Sequence, residues 1–61
     1  MSELLKQRCD RFLLAFGTPV TKFCRMVSIS CPAYYKARRG DLALAESTTS
    51  RINDFLTKHG F

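Results

Sequence analysis

The chain has 61 residues, 46% of them apolar, and a formal charge of +5. This describes one small domain, which buries only about 60% of the surface its unfolded chain exposes and leaves little room for an enclosed active site beside a core. The apolar share argues against disorder. One His and three Cys without a C-x-x-C pair argue against a disulfide framework and a structural zinc.

The N-terminal segment predicts a helix capped by Ser2, with Leu5, Cys9, Phe12, Leu13 and Phe16 at helical spacing on one apolar face. Lys6, Arg8, Asp10 and Arg11 interrupt this stretch, so it does not read as a signal peptide. No run in the chain is long enough to span a bilayer, and the expectation is a cytosolic protein. Gly17 is the expected stop, since glycine takes the left-handed C-terminal position cheaply.

Thr18 and Pro19 predict the start of a second helix, with Thr18 as cap and Pro19 in the first turn, and with Val20, Phe23, Cys24 and Val27 facing inward. About two turns of helix do not form alone, so packing must hold them. Ser28-Ile29-Ser30 reads as a turn in which Ile29 plugs the core and Ser30 caps a third helix. Pro32 is harmless in that helix's first turn. Tyr34 and Ala37 point inward, while Cys31, Ala33, Tyr35, Lys36, Arg38 and Arg39 fall mainly outward, up to a stop at Gly40.

Asp41 to Ala45 predicts a loop anchored by Leu42 and Leu44. Ser47 or Thr48 is the expected cap of a last helix from about Glu46 to Lys58, with Ile52, Phe55 and Leu56 buried. Lys58 and His59 lie at its end, where positive charge is favourable. Nothing alternates as a strand would. The expected fold is an all-α compact bundle of four or at most five short helices around a central helix-turn-helix.

Charge is distributed unevenly. No Asp or Glu lies between Arg11 and Gly40, whereas Arg11, Lys22, Arg25, Lys36, Arg38 and Arg39 do. A merely solvated face is the bland account of such residues. Helical geometry coinciding with uncompensated positive charge favours a polyanion as partner.

From Thr18 to about Leu56 the pattern resembles the Cro/repressor-type (Xre-like) helix-turn-helix with the lambda-repressor-like fold. Phe23-Cys24 stands where that family has a large and a small apolar residue. Ser28-Ile29-Ser30 resembles its Gly-Val-Ser turn, Tyr34 occupies its buried Ile/Val position, and Gly40 matches the glycine that closes the recognition helix. Ile52 and Leu56 resemble the core pair of its fourth helix. Two residues depart from the pattern. Ser28 replaces a glycine where positive φ is expected, at a cost of about 1 kcal/mol, and Tyr34 replaces a smaller residue, which requires different packing.

The resemblance implies that the third helix enters the major groove of duplex DNA, with Cys31, Pro32, Tyr35 and Lys36 facing bases. Lys36 suits guanine O6 and N7, Tyr35 a thymine methyl or a phosphate, and Cys31 and Pro32 shape and apolar contact. Thr18, Thr21, Lys22, Ser30, Arg38 and Arg39 are the implied phosphate contacts, which orient the protein without reading sequence. The implied function is operator occupancy by a small phage or mobile-element type regulator, as a homodimer on DNA with Leu44, Phe55 and Phe61 as candidate contacts. No cofactor, metal, small-molecule ligand or membrane is expected. The chain has no paired carboxylates, Ser/His/Asp set or Gly-rich phosphate loop, so no enzyme is expected. The alternative is a protein-interaction module, such as an antirepressor or antitoxin, that uses the same surface. Cys31, at a helix start, is a candidate redox-sensitive thiol.

Overall fold

The computed structural model describes residues 1–61. Its four helices are α1 (Glu3–Phe16), α2 (Val20–Met26), α3 (Cys31–Arg39) and α4 (Glu46–Lys58), with no strand. The bundle measures 26 × 19 × 19 Å. No helix is long and apolar enough to cross a membrane.

Local chemistry sets both ends of α1. Ser2 is extended, and its hydroxyl accepts the Leu5 N–H at 3.1 Å, satisfying one of the otherwise unpaired amides of the first turn. Gly17 has φ +60° and donates its N–H to Leu13 O, while the Thr18 N–H reaches the same carbonyl at 3.1 Å. Leu5, Cys9 and Phe12 are buried and Leu13 is half-buried. Phe16 lies on the expected face but is not buried. At the helix end it lies on the rim of the core, with its ring against Phe12, Phe61 and His59, and stays 58% exposed.

The start of α2 corrects a second expectation. Pro19, not Thr18, occupies the cap position (φ −63°, ψ 146°), and no side chain caps the helix. Proline's fixed φ suits either site, but the extended ψ places Pro19 just outside the helix and Thr18 one residue too far back. With seven residues and no cap, α2 depends on packing. Phe23 supplies it, meeting Phe12, Tyr34 and Phe55 at centroid distances of 5.5, 5.8 and 5.8 Å.

The start of α4 differs from expectation as well. Ala45 precedes the helix, so Ser47 and Thr48 fall inside the first turn and neither side chain caps it. Ile52 and Leu56 are buried and Phe55 is half-buried. Leu44 packs on the core as expected, but Leu42 is 39% exposed and lies outside that core. Arg8 of α1 clamps α4, donating to the Asn53 side chain, to Thr57 Oγ1 at 2.9 Å and to the Phe61 carbonyl at 2.7 Å. Phe61 folds back, its N–H bonding Leu56 O at 2.8 Å.

One core joins all four helices: Leu5, Cys9 and Phe12 of α1, Phe23 and Cys24 of α2, Val27, Tyr34 of α3, and Ile52 and Leu56 of α4. Ala37 is also fully buried. The inward side of α3 is therefore fixed, which determines which of its side chains face out.

Candidate nucleic-acid interface

The turn between α2 and α3 is tight. The Ser28 N–H bonds Arg25 O at 3.3 Å and the Ile29 N–H bonds Cys24 O at 2.9 Å. Ser28 has φ +57°, the left-handed conformation that glycine adopts without penalty. Ile29 is half-buried against the core. Ser30 then caps α3, its hydroxyl accepting the Ala33 N–H at 3.3 Å, and Pro32 sits in the first turn. Gly40, at φ +86°, ends the helix.

Tyr34 is the residue around which α3 is seated. Its side chain is fully buried, edge-on to Phe23, and its hydroxyl accepts a long hydrogen bond from Arg38 at 3.5 Å. Burial pushes the phenol up to about 12 from an ordinary 10.0. A tyrosine thus fills the position where the resemblance implies a smaller residue, by carrying its polar tip out to a guanidinium at the rim.

With Tyr34 and Ala37 inside, Pro32, Tyr35, Lys36 and Arg39 form an exposed stripe at helical spacing. Tyr35 is 45% exposed, its ring 5.7 Å from that of Tyr34. Lys36 is exposed, and its ammonium makes no hydrogen bond or ion pair within the chain. Arg39 is exposed and meets Asp41 at 3.1 Å, a contact between two largely solvated groups that is easily exchanged.

Three of the contacts that the resemblance implies sit differently from the rest. Arg38 is half-buried and held by the exposed Asp10 of α1 at 2.7 Å, so its charge is paired within the chain. Cys31, expected mainly outward, is half-buried and packs against the core. Thr18 is half-buried at the end of α1.

Packed against α3, α2 carries a second cationic surface. Pro19, Thr21, Lys22, Arg25 and Met26 line an open groove of about 440 Å³. Lys22 and Arg25 are exposed and unpaired. Thr21, Lys22 and Arg25 stand three and four residues apart on α2, so Arg25 shares their face.

The turn also has a contact that no local pattern signals: Arg51 of α4 donates to the carbonyls of Val27 at 2.7 Å and Ser28 at 3.0 Å. Elsewhere, no group of three or more His, Cys, Asp or Glu side chains is arranged to hold a metal ion. Burial pushes the Cys9 and Cys24 thiols up to about 11 and about 12. Both are inert as nucleophiles at neutral pH.

No protein-family model matches the chain, and no curated protein or solved structure matches it. A functional reading therefore rests on the chemistry of the α2–α3 surface.

Proposed function

We propose that this protein binds duplex DNA sequence-specifically and regulates transcription by occupying an operator, in the manner of the Cro/repressor-type helix-turn-helix domains it resembles. One observation carries the reading: the outward stripe of α3 has an unpaired Lys36 at its centre, and α2 beside it offers the unpaired Lys22 and Arg25. A helix with its side chains is about 10–12 Å across, which the major groove, about 12 Å wide, admits.

Lys36 donates to guanine O6 and N7. The Tyr35 ring meets a thymine methyl or a sugar–phosphate edge, and Pro32 contributes shape. Thr21, Lys22, Arg25, Ser30 and Arg39 meet phosphates, which fixes register without reading sequence. Arg38 is left out of this set because reaching a phosphate would require leaving Asp10. A single domain of this size makes few base contacts, so two copies on paired half-sites are expected. The work is done in the compartment that holds the DNA, the cytosol of a bacterial or phage-infected cell.

A second reading keeps the same surface and changes the partner. Pro32 and the exposed Tyr35 ring offer apolar area instead of hydrogen bonds. This suits an antirepressor-like or antitoxin-like module gripping an acidic protein.

Random-site selection followed by fluorescence anisotropy across a salt series separates the two. DNA binding gives an enriched motif and an affinity that falls with salt at a log–log slope of about −0.9 per phosphate neutralised. A chain that enriches no motif, shows no salt-dependent binding and co-purifies with a protein follows the second reading.

A further inference from the structure

The turn that aims α3 is internally weak. It ends a seven-residue helix and passes through a serine at φ +57°, and apart from the packing of Ile29 on the core it is held by two short-range backbone bonds, at Ser28 and Ile29. Just past α2, the carbonyls of Val27 and Ser28 accept no backbone N–H, and the negative end of the helix dipole lies there.

Arg51 meets this need from across the molecule. Its Nε donates to Val27 O at 2.7 Å and its Nη2 to Ser28 O at 3.0 Å, over sequence separations of 24 and 23 residues. The fork of the guanidinium reaches two successive carbonyls, which the point charge of a lysine does not reproduce. The next residue, Ile52, is fully buried in the core, so the latch is anchored on a rigid element. No other side chain donates to the turn's carbonyls.

We propose that Arg51 is the positioning residue of this surface: it latches the turn to α4, holds Ser28 in its left-handed conformation, and so sets the angle at which α3 is presented. Its functional consequence rests on the DNA-binding reading above. Base readout tolerates little displacement, because donors on α3 must meet fixed acceptors in the groove, whereas non-specific phosphate attraction tolerates more. Arg51 therefore governs discrimination between sequences, not general affinity for DNA.

The test uses the full chain with Arg51→Ala and Arg51→Lys, checked for folding by thermal melting. Anisotropy is measured on the selected duplex and on a scrambled duplex over a salt series, and amide exchange is followed at Ser28 and Ile29. Loss of the two charge-assisted bonds in Arg51→Ala lowers the selected-to-scrambled affinity ratio and speeds turn exchange, each by about tenfold. Affinity for scrambled DNA and its salt slope stay unchanged, as do the core amides. Arg51→Lys recovers only part of the ratio. If Arg51→Ala does not fold, the partial loss in Arg51→Lys carries the test.

The proposal is overturned by an unchanged ratio, by unchanged exchange at the turn, or by equal weakening on both duplexes with a slope shallower by about 0.9, the mark of a phosphate contact. If the unmodified chain binds no DNA, the functional reading fails by itself. The exchange measurement still decides whether Arg51 holds the turn.

Discussion

Arg38 and Asp10 form a two-pronged ion pair, Nη1 lying 2.7 Å and Nη2 2.8 Å from the two carboxylate oxygens, and this pair ties the C-terminal half of α3 to α1. The carboxylate holds the guanidinium above even the usual arginine range. One of the three cations near the end of α3 is thereby directed to structure, leaving Lys36 and Arg39 facing out.

Replacing Asp10 with Asn separates the two roles. Both groups are partly solvated, so stability falls by only about 0.5–1 kcal/mol. The released Arg38 becomes available to phosphate, and the salt dependence of DNA binding steepens by about 0.9 in log–log slope. Chemical denaturation and anisotropy measure the two effects. A steeper slope is the informative outcome; an unchanged one means that Arg38 stays seated on Tyr34 without its carboxylate.

Ser28 offers a gain in stability. At φ +57° an L residue carries strain that glycine lacks, and a Cβ-free residue at that position loses nothing in packing because Ser28 is exposed. The greater backbone freedom of glycine in the unfolded chain offsets part of this. Ser28→Gly should therefore stabilise by about 0.5 kcal/mol, or about 2–4 °C in melting temperature for a domain of this size. A lower melting temperature would show that the serine hydroxyl contributes more than the strain costs.

Which features could be read from sequence follows the range of the interactions that make them. Ser2, Gly17, Ser30 and Gly40 act within one helical turn of themselves, and each stands where its chemistry predicts. The inward pair Tyr34 and Ala37 and the outward Lys36 follow from helical periodicity. The caps assigned to Thr18, Ser47 and Thr48 failed because a one-residue shift of a helix start, set by Pro19 or by how α4 packs, moves a hydroxyl out of reach of the free amides. Phe16 obeys the period of α1 but lies where the core ends. The partners of Arg38 and Arg51 lie 28 and 24 residues away, and only tertiary packing selects them. The charged residues of the surface were legible as a set; which ones the bundle ties down internally was not.

Alkali should unfold this protein earlier than its composition suggests. Burial pushes Cys9 up to about 11 and Cys24 and Tyr34 up to about 12, from 9.0 for the thiols and 10.0 for the phenol. Each group is neutral when protonated. Above its ordinary value the unfolded chain releases a proton that the folded chain retains, so the folded state binds more protons and stability falls as pH rises. The contribution is complete below about pH 9 and is lost progressively towards pH 12. Melting temperatures from pH 7 to pH 11 should be flat at first and then decline. Tyr34→Phe removes the phenol and should decline less steeply above pH 10. An identical decline in both would assign the effect to the thiols alone.

The strongest separation of roles is on the surface itself. Lys36 is the one cation of α3 that is both exposed and unpaired, so Lys36→Ala should cost about 1–3 kcal/mol on the selected site and relax discrimination at one or two base pairs. Affinity for scrambled DNA should change much less. Lys22→Ala and Arg25→Ala, on the groove of α2, should weaken both duplexes alike and each make the salt slope shallower by about 0.9. Arg39→Ala should behave in the same way, its exposed pair with Asp41 being too weak to withhold it from a phosphate. Repeating the site selection with Lys36→Ala reads this directly: the recovered motif should lose information at one position and keep the rest. If the motif survives intact while all affinities drop together, Lys36 is a phosphate contact, and base reading falls to Tyr35 and Pro32.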